Sequence, residues 1–211
     1  MCSNYRPPSP EALRCFGLEA PTFGYDAETY PERTSPFLGN QNTGWLPGTF
    51  GLLPHWADPA LARHTYNARS ETVAEKPSYR HAWRARQLAI VPVQAIYEPC
   101  YETGKAVRWR IERADQELFG LAGIWEHRTR PDGTDWYSFS MLTINADGHP
   151  LMRRFHKPDD EKRSVVVLND GDWDAWSLAR TESDIRHFLQ PFAADLFRAE
   201  ADPRLVPAKR A

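Results

Sequence analysis

The chain has 211 residues, 41% of them hydrophobic and 26% charged, with a formal charge of −2; that suits one domain around one sizeable core and leaves any nucleic-acid surface to a local basic patch. Three cysteines (Cys2, Cys15 and Cys100) without CxxC spacing argue against a disulfide framework and a structural zinc site. No hydrophobic stretch has transmembrane length and no charged-then-apolar leader opens the chain, so the expectation is a cytoplasmic protein with reduced thiols and no membrane partner.

Taken from the start, Pro7, Pro8, Pro10, Pro21, Pro31, Pro36 and Pro47 leave few periodic apolar runs. Residues 1–48 therefore read as an irregular arm wrapping the surface, and 49–198 as an α+β core within a single 1–211 unit. Glu71–Lys76 suggests a short helical turn, and Ser78, behind Pro77, suggests the cap of a helix reaching Arg86. Leu88–Tyr97 reads as a buried strand with Pro92 at an edge or bulge. Glu102–Lys105 is a turn into a half-exposed strand, Val107–Ile111, in which Val107, Trp109 and Ile111 alternate with Arg108 and Arg110. Leu118–Trp125, Trp136–Ile144 and Ser164–Leu168 are further strands, the first two joined through the turn Arg130–Gly133. Trp173–Leu178 and Ser183–Phe197 read as helices, the second broken near Pro191. Strands joined by short turns imply antiparallel pairing, so the expected fold is α+β: a mainly antiparallel sheet or partial barrel with flanking helices.

The placement of Cys2 carries the most chemistry. Loss of Met1 leaves a free α-amine beside the thiol, and such a 1,2-aminothiol condenses with an aldehyde to an imine that the thiol closes into a thiazolidine. Reference pKa values of roughly 8 for the amine and about 8.5 for the thiol leave useful fractions of both nucleophiles near neutrality. The same thiol can attack a carbonyl as a peptidase nucleophile. Four other pieces stand out. In Tyr66-Asn67-Ala68-Arg69-Ser70-Glu71, Asn67 can orient a carbonyl or hydroxyl and Arg69 can grip a phosphate. Glu98 ends an apolar run, where desolvation raises a carboxyl towards the range of general acid–base work. His156, in Arg153-Arg154-Phe155-His156, suits a proton shuttle. Trp56, in Gly51-Leu52-Leu53-Pro54-His55-Trp56, can stack on a base from an exposed loop.

In this order, the early Cys, the G-x-x-P-x-W loop, N-A-R-S-E-T, the aromatic-Glu strand end and the His before a Val-rich strand resemble the SOS response-associated peptidase (SRAP) family. The resemblance covers Cys2 and about Thr49–Leu178. It implies covalent crosslinking to abasic sites in single-stranded DNA through a thiazolidine at Cys2. It further implies that Asn67 positions the sugar, Arg69 holds phosphate, Glu98 is the acid–base group, and His156 assists ring opening. Neither a metal nor an organic cofactor is implied. A DNA track is expected from Arg69, Trp56, Arg80, Arg84, Arg153 and Arg154, on a monomer that joins the nucleoid when bound. The chain departs from the family pattern at Ser3 and Asn4, at Pro99, and in the acidic stretch Lys157–Arg163. A thiol autopeptidase acting on the Met1–Cys2 bond and a non-covalent DNA-binding module remain open as alternatives.

Overall fold

The computed structural model describes residues 2–204. Among them twelve strands, numbered along the chain, form two sheets. The larger contains β2 (Thr34–Gly39), β3 (Trp45–Phe50), β4 (Asn67–Arg69), β5 (Leu88–Val93), β8 (Phe119–Thr129), β9 (Asp135–Asn145), β10 (Arg163–Val165) and β11 (Val167–Leu168). Its pairings run β9–β3–β2–β5–β8 and return from β8 to β9, which bends five strands into a partial barrel. All of these ladders are antiparallel except β3–β9; the parallel strand β4 also lies along β9. The smaller sheet has the order β1 (Tyr5–Arg6), β6 (Ala95–Cys100), β7 (Val107–Arg113) and β12 (Phe197–Ala201), antiparallel throughout. This is an α+β fold, as the alternation of apolar residues led one to expect.

The N-terminal stretch differs from the expected irregular arm. Residues 34–50 form a hairpin inside the barrel, with Pro36 opposite Pro47. Both prolines are tolerated because the outer ladders start elsewhere: β2 meets β5 only at Leu38 and Gly39, and β3 meets β9 only from Gly48. Leu88–Tyr97 likewise becomes two strands, β5 and β6, which part at Gln94 and enter different sheets. Pro92 lies beyond the last β2 partner, at an unpaired edge, as its missing N–H requires.

Four short helices flank the sheets: α1 (Pro10–Cys15), α2 (Arg80–Arg84), α3 (Trp173–Leu178) and α4 (Glu182–His187). Ser78 does not cap α2. Its N-cap is Tyr79, without a side-chain cap, and the helix is nucleated by the Lys76 carbonyl, which accepts from the N–H groups of Tyr79 and Arg80. The helix expected over Ser183–Phe197 stops at His187, opened by a capping box between Thr181 and Asp184. The chain beyond Pro191 becomes β12, because pairing with β7 satisfies its backbone.

Two apolar clusters hold this arrangement. One contains Tyr5, Phe37, Phe50, Ile96, Phe119 and Phe139, with Phe50 stacked on Phe139 at 5.4 Å and Tyr5 edge-on to Phe50 at 5.2 Å. Gly48 makes room for it, since a Cβ there would stand 2.5 Å from the Phe37 ring. The other cluster is built from Trp83, Trp176, Leu88, Ile124 and Ile185, and joins α2, α3 and α4 to the sheet. Trp176 donates from its indole to the Ala89 carbonyl at 3.0 Å, so its burial leaves no orphaned donor.

Candidate active site at the N-terminus

β6 organises the site. Its outer edge is shared by two segments that are far apart in sequence. β1 covers the first half, with Tyr5 opposite Ile96 and the Tyr97 N–H donating to the Asn4 carbonyl at 3.0 Å. Beyond the end of β1, the Pro99 carbonyl accepts from the His156 N–H at 2.8 Å, and Cys100 bridges to Phe155. Residues 97 and 99 face the same edge because strand backbones repeat every two residues. Cys2 and His156 thereby approach the intervening residue, Glu98, from opposite ends.

A third element fixes Cys2 from across the fold. Asn67, at the start of β4, donates from Nδ2 to the Cys2 carbonyl at 2.7 Å. Its Oδ1 is buried with no hydrogen-bond partner among the described residues. The Asn67 carbonyl in turn accepts from the Tyr79 hydroxyl at 3.0 Å, so the loop before α2 braces β4. His156 holds a positive φ of 66°, a left-handed conformation uncommon for a side chain of this size and the kind of strain that accumulates at working sites.

Burial sets the protonation states. Desolvation pushes the Glu98 carboxyl up to about 7. It pushes the His156 imidazole down to about 4, so His156 is neutral near pH 7. His156 Nε2 stands 3.3 Å from Glu98 Oε2, and with the imidazole neutral this approach is not an ion pair. The Cys2 thiol is raised, first by burial and next by the Glu98 charge, and its Sγ donates to the Asn4 carbonyl at 3.4 Å. The thiol is thus held in its protonated form near the Glu98 carboxyl, whose raised pKa makes it the better acceptor of that proton. Of the Glu98–His156 pair, His156 keeps 11% of its side chain exposed against 2% for Glu98.

The structure brings Cys2, Asn67, Glu98 and His156 together. The basic residues expected on a DNA track fare differently. Arg80 and Arg84 on α2 and Arg153 before His156 are exposed and without ion-pair partners among the described residues. Arg69 is engaged by Glu161 at 2.7 Å, and Arg154 is gripped by both oxygens of Glu102 at 2.8 and 3.2 Å while lying over the Trp109 ring. Arg108 and Arg110 are consumed by Glu28, Asp202, Glu112 and Glu200. Trp56 stands 57% exposed on the loop after β3.

Three contributors escaped sequence reasoning. Tyr66 is half-buried, and its hydroxyl is raised by burial and then by Cys2 and Glu98, which sets it beside both; only its position before Asn67 hinted at this. Lys162 reaches the His156 carbonyl at 3.4 Å and the Lys157 carbonyl, folding the acidic stretch back over His156. Asn4 is buried; it donates to the Thr29 carbonyl at 3.2 Å and accepts from Arg108 at 3.1 Å, a fixed strut rather than a free polar terminus.

With this fold and site, the chain belongs to the SOS response associated peptidase (SRAP) family, whose model matches residues 18–206. It is 31% identical over 161 residues to the abasic site processing protein YoqW of Bacillus subtilis, an overlap covering 74% of this chain and 68% of that one. The abasic site processing protein YobE of the same organism is 30% identical over 161 residues, covering 74% and 70%. Among solved structures, a protein from Bordetella bronchiseptica superposes with a TM-score of 0.87 at 35% identity, covering 96% of this chain and all of the other. One from Bacteroides thetaiotaomicron, at 19% identity and a TM-score of 0.80 over 95% and 91%, shares the fold.

Proposed function

We propose that this protein captures abasic sites in single-stranded DNA by forming a thiazolidine between the mature N-terminal Cys2 and the ring-opened sugar. The observation that carries this reading is the convergence of Cys2, Asn67, Glu98 and His156 at one seat on β6, the strand that also anchors the N-terminus. The names of the curated relatives point to the same lesion.

An abasic deoxyribose is mostly a closed hemiacetal, so opening it requires one proton delivered to the ring oxygen and one removed from the anomeric hydroxyl. Glu98, titrating near 7, exists in both forms at neutral pH and serves either step; neutral His156 relays the proton. The Cys2 amine then adds to the aldehyde carbon. The resulting carbinolamine loses its hydroxyl as water with a proton from Glu98, and its nitrogen returns a proton to the Glu98 carboxylate, leaving an imine. The thiol sulfur bonds to the imine carbon, its proton passes to the Glu98 carboxylate, and the imine nitrogen regains a proton. The sum is aldehyde plus aminothiol giving thiazolidine plus water, with no change in oxidation state. Because the Cys2 thiol is held protonated, attack by the amine comes first. Asn67 steadies the Cys2 backbone through Nδ2 and offers its unpartnered Oδ1 to the amine or a sugar hydroxyl. Arg80, Arg84 and Arg153 hold phosphates, Trp56 stacks on a base, and Arg69 and Arg154 join by exchanging carboxylate for phosphate.

The test is a denaturing gel of protein whose mass confirms loss of Met1, incubated with a single strand carrying one abasic site. A heat-stable shifted band from wild type alone, on the abasic strand alone, supports the reading. An equal band from Cys2→Ala, or none from wild type, overturns it.

A further inference from the structure

The β8–β9 hairpin carries a second basic feature that the covalent chemistry leaves unused. Between the hairpin and the loop after β3 lies an open cleft of about 530 Å³ lined by His55, His127, Arg128, Thr129, Arg130 and Trp136, among others, and no lining side chain is a carboxylate. Arg128 lies near the end of β8, and Arg130 follows one residue past it at the start of the turn, where the Gly133 N–H donates to the Arg130 carbonyl at 2.9 Å. Trp136 is directly opposite Arg128, and both guanidiniums sit 4.2 Å from the centroid of its ring. That ring is itself fixed, donating to the Thr49 hydroxyl at 2.8 Å. Arg128 also donates to the Ala57 carbonyl at 2.7 Å, which ties the hairpin to the loop bearing Trp56.

Nearby carboxylates have other duties. Asp135 pairs with His127, Asp132 accepts from the Thr134 backbone and hydroxyl, and Asp58 accepts from the Ala60 N–H. The two like charges are held against one Trp136 ring, and neither makes an ion pair among the described residues, although Asp58 lies close enough to favour the Arg128 charge and Arg130 close enough to lower Asp132. Burial and then Arg130 make Arg128 harder to protonate, the expected signature of such crowding. Stacked guanidiniums keep their planar forks pre-oriented, which favours a tetrahedral oxyanion over a point contact.

We infer that this cleft is a second binding site for the DNA backbone, with Arg128 and Arg130 taking a phosphodiester several nucleotides away from the abasic sugar. The inference rests on the DNA reading above. Along β9, Trp136 is five residues from Met141, the partner of Asn67, a span of ~17 Å at about 3.4 Å per residue. That equals roughly five steps of stacked duplex DNA at about 3.4 Å per step, and fewer on an unstacked single strand, though still more than two. The cleft thus engages long strands and is out of reach of a strand ending two nucleotides either side of the lesion.

The experiment compares wild type, Arg130→Gln and Arg128→Gln/Arg130→Gln by fluorescence anisotropy on an intact 20-nucleotide single strand at several salt concentrations. Crosslinking to a five-nucleotide strand with a central abasic site runs alongside. Each lost phosphate contact removes about 0.7 from the slope of log affinity against log salt on single strands. The double variant is expected to lose about 1.4 from that slope and to bind roughly 20-fold more weakly at about 0.1 M salt. Arg130→Gln should lose about 0.7, half of the double variant's change in slope, while short-strand crosslinking is unchanged. Unaltered affinity and slope on the long strand overturn the inference. A matching fall in short-strand crosslinking overturns it as well, since the arginines would then act on the covalent site or the fold. If wild type fails to crosslink while long-strand binding drops as expected, the abasic-site reading fails and the cleft stands.

Discussion

Glu98 and His156 should leave opposing marks on stability, and removing either should unmask the other. Glu98 is fully buried and its folded pKa is raised from an ordinary 4.5 to about 7. Between those values the folded state holds a proton that the unfolded chain has released, so stability falls as pH rises through that window. At about 1.4 kcal/mol for each tenfold change in the proton equilibrium, the ionised carboxylate costs roughly 3 kcal/mol above pH 7. His156 runs the other way. Its folded pKa is lowered from 6.5 to about 4, so stability is fully present above 6.5 and is lost as pH falls towards 4. The magnitude is roughly 2–3 kcal/mol by the same conversion, trimmed by its partial exposure. In wild type the two slopes nearly cancel between pH 4.5 and 6.5. Glu98→Gln should therefore become more stable than wild type by roughly 3 kcal/mol at pH 8, with the gain vanishing near pH 4.5. His156→Asn should show the converse, a difference from wild type that grows in its favour as pH falls from 6.5. Urea unfolding of the three proteins from pH 4.5 to 8 reads these differences directly, because ionisable groups outside the site cancel. A Glu98→Gln difference that stays flat across that range would refute the desolvation argument, and with it the assignment of Glu98 as a group poised near neutrality.

Three further outcomes follow from particular contacts. Asn67→Ala removes the donor to the Cys2 carbonyl and should cost about 1–2 kcal/mol. The accompanying fray of the N-terminus should appear as faster hydrogen exchange at the Tyr97 amide, and unchanged exchange would mean that Asn67 does not pin Cys2. Glu161→Gln frees Arg69 and should tighten single-strand binding several-fold at low salt; equal affinity by anisotropy would place Arg69 off the DNA path. Gly51→Ala meets both a φ of 132° and the Ala62 carbonyl oxygen, 2.2 Å from the added Cβ. A loss of about 3 kcal/mol or more is expected, and a melting temperature within about 2 °C of wild type would show that the turn adapts.

Cys2, Asn67, Glu98 and His156 were legible as candidates only because their order along the chain resembles the SRAP pattern, each segment alone having an ordinary structural explanation, and the fold places them near one another. The small hairpin over residues 34–50 was not legible. Prolines at 36 and 47 read as breakers, and only the ladder offsets on either side show why they are harmless. The split of Leu88–Tyr97 was hidden for a related reason: an unbroken apolar run is equally compatible with one strand or with two strands in different sheets. Charge was the least readable quantity. Arg108 and Arg110 have the alternation of an exposed basic face, yet Glu28, Glu112, Glu200 and Asp202 are brought to them from distant parts of the chain. Arg128 and Arg130 drew no attention in the sequence, because the Trp136 that orients them lies across a turn.

The shared edge of β6 also imposes an order in time. The seat of Cys2 needs β4, β6 and the Phe155–His156 segment, so it stays open until some 150 residues after Cys2 have been made. An aminopeptidase that trims residue 1 has that interval to work in; once Asn67 has closed on the Cys2 carbonyl, the residue it must leave behind is buried. On the proposed thiazolidine chemistry, the order in which these segments are made bears on how many molecules expose the Cys2 amine.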